Sequence, residues 1–383
     1  MDEPHGITLV ECLRSLPDPR DRRGRRYEWW LLVTVLLAGL VQEVGGVRAM
    51  ADWAQFSGPE LCQWLGVRLR RMPSLATLQR VPASLDLAAL RERLQVLSEE
   101  HRAALEAAIE PLDGGVLRLW AMDGKAARGA ARRGPGIRLV TLFDEGSGIP
   151  VDQVAVAEGG AEIPGGQALL ADKDLDGVLV TGDALHCQRK TCKMISAQQG
   201  HYLIAVRGNQ PELQQAIDDV FTTPPTRTWD PVWDRWVEEH VYSHGRLERR
   251  TLEVSAEVAW LDWPGAAQVL RRTYYRYEPR TGKAKQFVSY GITSLPPRAA
   301  NAAQLRDYWR RHWSIENRLH WVKDALLAED ACQVTAARGA AALGFLRNML
   351  VGLYRHSGFG SVATAQRHAR SSLERTLKLI GAL

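Results

Sequence analysis

The sequence predicts an α/β protein preceded by a helical region. Three observations carry that reading. About the first hundred residues hold apolar residues at helical spacing between turn and capping residues. From Gly114 short runs of Val, Ile, Leu and aromatics follow one another, each bounded by Gly, Asp or Asn. Helical character returns near Ala303. Across the 383 residues the hydrophobic share of 45% and charged share of 24% are those of a globular chain, which sets disordered and fibrous classes aside. A net charge of +5 permits a polyanionic partner without demanding one.

In the first part, DPRDRRGRRYEWW (Asp18 to Trp30) is a basic, turn-rich lead into the apolar run Trp29 to Val41. That run has the length of a buried helix and is too short to span a bilayer. With no signal-peptide core in the opening residues and five scattered cysteines lacking any CxxC pair, the expectation is a cytoplasmic protein with no membrane association. After Gly45-Gly46 a second amphipathic stretch, VRAMADWAQFS, begins. RMPSLATLQRVPASLD then reads as a short helix between capping serines Ser74 and Ser84, and LAALRERLQVLSEEHRAALEAAI as a long charged helix. Short helices with arginines at their turns suit a DNA-binding module, and equally a plain helical bundle.

The strand-like runs are VLRLWAMDG, IRLVTLFDEGSG, IPVDQVAVA, GVLVTGDALH and HYLIAVRGNQ. Helical EIPGGQALLADKD and CQRKTCKMISAQQ fall on either side of the fourth. The order is therefore β-β-β-α-β-α-β, which an RNase H-like core has, as other α/β folds do. From about 211 to 300 the chain reads as a β-rich insertion. The expected division is a helical N-terminal domain, 1–110, and a catalytic domain, 111–383, carrying that insertion.

Asp123 in LWAMDGK and Asp183 in VLVTGDALH both close an apolar strand, where loops open onto a sheet edge and active sites are common. Singly, each is more readily a turn former or a helix N-cap than a catalytic acid, and it is the two equivalent contexts together that favour the site. In LRDYWRRHWSIENRLHWVKDALLAED, Ile315, Leu319, Val322 and Leu326 form one apolar stripe, with His312, Glu316, His320 and Lys323 on the neighbouring face. Pressed onto a sheet, such a helix would hold Glu316 toward its edge. The bland alternative is a solvated amphipathic helix, though two histidines among Trp309, Trp313 and Trp321 fit it poorly.

Three convergent acids suit phosphodiester chemistry. Two divalent ions about 4 Å apart activate an attacking oxygen and stabilise the leaving one, and Mg²⁺ prefers a few carboxylates plus water and phosphate. Asp123 is the natural bridging ligand, with Asp183 and Glu316 serving one ion each, and Mn²⁺ is expected to substitute. Basic residues crowd the same places: Lys125, Arg128, Arg132, Arg133 and Arg138 after Asp123, Arg246, Arg249 and Arg250 in the insertion, and Arg310, Arg311 and Lys323 around Glu316. Such residues neutralise phosphates along a DNA backbone. A zinc enzyme using adjacent His186 and Cys187 is a weaker alternative, since neighbouring side chains rarely share a metal and no CxxC accompanies them.

Nearly end to end, the sequence resembles the ISAs1 family of insertion-sequence transposases, within the wider IS4-like DDE group. The resemblance is carried by DPRDRRGRRY, AMADWAQ, MDGKAARG, EIP, VTGDALHCQ, YLIAVRGNQP, HGRLERR, RRHWSIENRLHW and AED, in that order. It implies an RNase H-like core, Mg²⁺-dependent strand transfer, and Asp123, Asp183 and Glu316 as the catalytic acids. In that group a tyrosine, an arginine and a lysine accompany the glutamate. Lys323 keeps the lysine's spacing, Arg310 or Arg311 lies near the arginine's place, and Trp309 stands where the tyrosine is expected, beside Tyr308. Two departures are the run Glu158 to Ile163, in place of Lys-(Ser/Thr)-Asn-Glu-Ile, and Arg207 in place of a lysine before Gly-Asn-Gln.

The resulting expectation is a DDE transposase that binds terminal inverted repeats, cleaves there and joins the freed ends to target DNA, working as a homo-oligomer on DNA. Expected DNA contacts are Lys125, Arg128, Arg310, Arg311, His312, Asn317 and Lys323. The alternatives are a nuclease of the same fold without strand transfer and a catalytically degenerate, DNA-binding relative.

Overall fold

The computed structural model describes residues 8–42, 46–94, 118–131, 136–157, 159, 161–222, 233–243 and 245–381. The helical front comprises α1 (Leu9–Arg14), α2 (Trp29–Gln42), α3 (Val47–Trp64), α4 (Leu75–Ser84) and α5 (87–94). α2 is buried from Trp29 to Val41 except at Trp30. An apolar surface on every side makes it a core helix and not an amphipathic one. No single described helix is long and apolar enough to cross a membrane. Ser74 caps α4 by accepting from the Thr77 N–H. Ser84 does not cap as expected: it is the last residue of α4, and Asp86 accepts from the Ala88 and Ala89 N–H groups to start α5. The remainder of the long charged helix expected there lies outside the described residues.

A sheet of nine strands follows. β1 (Arg118–Ala126), β2 (Ile137–Asp144) and β3 (Ile149–Ala157) form an antiparallel meander, with the short α6 (Arg128–Ala131) between the first two. α7 (Glu162–Ala171) leads to β4 (Val178–Gly182), parallel to β1, and α8 (Arg189–Ala197) to β5 (His201–Val206), parallel to β4. Then come α9 (Pro211–Thr222), β6 (Asp234–Ser243), β7 (Arg246–Ser255), β8 (Gln268–Glu278) and β9 (Lys283–Thr293). The spatial order is β3-β2-β1-β4-β5-β9-β8-β7-β6. The β-rich segment is thus an extension of the same sheet, because β9 returns antiparallel to β5 with Ile204 opposite Ile292. Its first part is the helix α9.

The chain closes with α10 (Ala302–Arg311), a π-helical turn (Glu316–His320), α11 (Trp321–Ala325), α12 (Ala337–His356), α13 (Val362–Arg370) and α14 (Leu373–Leu379). Strand alternation sorts these helices between the two faces of the sheet. Trp120 and Met122 of β1 point into a core with Leu169, Leu170 and Ile195 of α7 and α8. Ala121 points the other way, into a core containing Ile315, Leu319, Val322 and the helices of both chain ends. α2, α3 and α4 share that core with α12 and α13, so the front and rear helical segments bury one another's apolar surface. α10 lies against the extension: a methyl at Gly291 would come within 2.8 Å of the Trp309 ring.

Candidate active site

Asp123 lies within β1, opposite Thr141 of β2, and Asp183 follows the last residue of the neighbouring strand β4. β1 and β4 run parallel with Met122 opposite Gly182, so the residue after each of these two is an aspartate. Because side chains alternate, Asp123 shares the face of Ala121, and Asp183 that of Leu179 and Thr181, opposite to Met122 and Val180. It is the face onto which Ile315 and Leu319 press the turn bearing Glu316. Arg318 anchors that turn on the β2–β3 hairpin through Glu145, 3.0 Å away. A π-helical turn changes the helical register, and such turns recur at functional sites. Here Glu316 and Asn317 are exposed while Leu319 is buried.

The electrostatics of Asp123 record this crowding. Burial pushes its carboxyl up, the Gly124 N–H at 2.8 Å partly offsets that, and the charges of Asp183, Glu162 and Glu316 push it further, to about 7. His320 faces it with Nδ1 3.5 Å from Oδ2. Burial, then the charges of Lys323 and Lys125, drive His320 down to about 3, so its ring is neutral. Asp183 is exposed and also caps the turn Ala184–His186 through the Leu185 N–H at 2.9 Å. The expected role of a cap is therefore met. The loop after β5 buttresses this turn, Asn209 donating to the Ala184 carbonyl and Gln210 to that of Cys187.

Several expected DNA contacts face inward. Lys323 is buried, its Nζ 3.0 Å from Glu329 Oε1, and it also donates to Gln153. His312 is buried and bonded to Thr181 Oγ1 at 3.0 Å, and burial lowers it to about 4. Lys125 is held by Asp324 at 2.7 Å, Asp330 at 3.0 Å and Glu329 at 3.3 Å. Burial opposes its charge, and these acids more than offset it, leaving its pKa above the ordinary value. These three residues build the site's frame and are not placed to meet a phosphate. A helical wheel could not reveal this, because it shows which face a residue shares and not what packs there. Arg128 is exposed beside Asp330, and Arg311 pairs with Asp307 at 2.8 Å and Glu145 at 3.5 Å. Arg310 and Asn317 are exposed. In the extension, Arg246 and Arg250 both engage Glu248. Arg132 and Arg133 lie outside the described residues.

Two residues that motif reasoning left without a role also stand here. Glu162, the first residue of α7, is buried and takes Arg138 Nη1 on Oε2 at 2.5 Å. His186 is buried, with no partner for either ring nitrogen among the described residues. The EIP run and the glycine after Asp123 were the available signals.

A family model described as "Transposase DDE domain" matches residues 115–353, which span both aspartates, the sheet extension and Glu316. The chain belongs to this DDE transposase family. A second model, described as "DDE_Tnp_1-associated", matches residues 10–96, the helical front. "Putative transposase YncI" of Escherichia coli O157:H7 is 26% identical over 91% of this chain and 87% of its own length. "Putative protein YbfL" and "H repeat-associated putative transposase YhhI" of E. coli K12 are each 26% identical over 96% of this chain and 95% of their own. DDE transposases act on DNA and generally use divalent metal ions.

The donor chemistry fits such an ion. Carboxylates on and beside neighbouring strands are hard oxygen ligands, and their mutual repulsion at Asp123 is what a bound cation relieves. Among the described residues no three His, Cys, Asp or Glu side chains stand close enough together to hold one ion as they lie.

Proposed function

We propose that this DDE transposase cleaves DNA at the ends of its insertion element and joins the freed 3′ ends to target DNA, with Asp123, Asp183 and Glu316 as its catalytic acids. The observation that carries this is the pairing of Met122 with Gly182, which brings two aspartates out on adjacent strands toward the Glu316 turn. The meander followed by two parallel strands supports an RNase H-like core, and the sequence resemblance to the ISAs1 family agrees with it.

The three carboxylates would hold Mg²⁺, or Mn²⁺ in its place, as a pair of ions that supply an activated attacking oxygen and a stabilised leaving oxygen. The protein's own part is placement. Lys125, two residues beyond Asp123, is clamped by acids that follow the Glu316 turn, so strand and helix keep a fixed separation. Neutral His320 fills the space beside Asp123 without adding a charge that would repel a cation. Exposed Arg310 and Asn317 flank Glu316 and are available to a DNA backbone.

The test is a nicking and joining assay on supercoiled DNA carrying the element's ends. D123N, D183N and E316Q should each abolish cleavage in Mg²⁺ while retaining DNA binding. Full cleavage by any one of them removes that acid from the set. Joining of a supplied 3′-OH end separates a transposase from a nuclease of the same fold.

A further inference from the structure

We infer that Glu162 is a fourth acid of the cation site, helping to hold the divalent ion at Asp123. This rests on the reading of Asp123 as a metal-holding acid and adds a residue outside the three acids of the DDE set. Three observations carry it. Glu162 reaches the site from α7, on the opposite side of β1 from the Glu316 turn, and its Oε1 lies against the backbone that follows Asp123. A methyl at Gly124 would come within 2.0 Å of that oxygen, so the glycine is what admits the carboxylate. The two oxygens are divided: Oε2 is taken by Arg138, which fixes the side chain, while Oε1 is turned toward Gly124. A buried carboxylate needs such a partner to stay charged.

The third observation is His186. It is 1% exposed, and neither ring nitrogen finds a partner among the described residues. It lies between the end of β4 and α7: a methyl at Gly166 would come within 3.1 Å of its Nδ1, and one at Gly182 within 3.2 Å of its Cβ. The charges of both Asp183 and Glu162 act on it. A buried polar ring with nothing to bond costs stability unless something bound there supplies the partner. Water carried by a hydrated cation between Asp123, Asp183 and Glu162 is that partner. Mg²⁺ keeps several of its waters when bound.

The test is a titration of the full-length protein with MnCl₂, without DNA, read by calorimetry and by the cation's effect on thermal stability. E162Q keeps the volume and removes the charge. Its midpoint should rise about tenfold, the usual effect of losing a group that supports a metal site, while its melting temperature without metal changes little. E162D, which withdraws the oxygen by one methylene, should fall between, and it replaces E162Q if that variant does not fold. An unchanged midpoint in the folded variant overturns the inference. D123N is the control and should lose the Mn²⁺ response. If D123N titrates like the parent, the reading of Asp123 fails instead. If D123N loses the response and E162Q keeps it, only the role of Glu162 fails.

Discussion

Lys323 and Glu329 form an ion pair in the interior, Nζ to Oε1 3.0 Å, with side chains 1% and 4% exposed. Glu329 also meets Lys125 and feels Arg347, which is itself buried. Burial works against both charges, and the pairing keeps Glu329 below the ordinary carboxylate value. Through its contact with Lys125, Glu329 joins the segment after the Glu316 turn to the strand of Asp123.

Breaking that pair should be costly. E329Q leaves Lys323 buried without a counter-charge, and loss of one member of a buried pair typically costs about 3–5 kcal/mol. Urea denaturation should show a loss of that order. A loss below about 1 kcal/mol would mean that Lys323 escapes to water in solution.

The metal-free protein should be penalised by Asp123 at neutral pH. Its carboxyl is raised from 3.8 to about 7, so the folded state binds the proton more tightly than the unfolded chain. Stability from this group is then full near pH 4 and declines as pH rises toward 7. D123N removes the penalty: it should stabilise the metal-free protein at pH 8 and change it little near pH 4. Denaturation curves at the two pH values check this, and an equal effect at both would contradict the raised carboxyl.

Salt dependence separates surface cations from frame cations. Each phosphate neutralised contributes roughly 0.9 to the slope of log affinity against log salt. R310A should weaken DNA binding and reduce that slope, because Arg310 is exposed. K323M should leave the slope unchanged wherever the protein remains folded, since Lys323 is spent on Glu329. A shallower slope in K323M would place that lysine on DNA after all.

Gly291 sits under Trp309, with a methyl there meeting the ring at 2.8 Å. G291A should therefore cost about 1–3 kcal/mol through overpacking and loosen α10 from the sheet extension. Thermal denaturation measures the loss. W309F on the G291A background should recover part of it, because the smaller ring makes room.

Much was legible in the residues alone. The strand end at Asp183, the helix of Ile315 and Leu319, and the order of elements follow from periodicity and turn chemistry, which are local properties of the chain; the strand of Asp123 instead runs on to Ala126, because β2 continues to pair with it. Asp183 could be named for the same reason, since it stands at a boundary that its neighbours announce. The β-rich stretch was legible as strands, but its union with β5 was not, since pairing depends on which edge is left open once the first five strands are formed.

Tertiary structure alone decided which charges are spent and which are free. Lys323 and Arg310 look equivalent around Glu316 in the sequence, yet one lies in the core beside Glu329 and the other in solvent. Glu162 was one more acid at a helix start until the fold set its carboxylate against Gly124. Periodicity assigns a residue to a face of its own helix or strand. The partner on that face, and therefore the cost of a charge there, is set by how separate elements pack together.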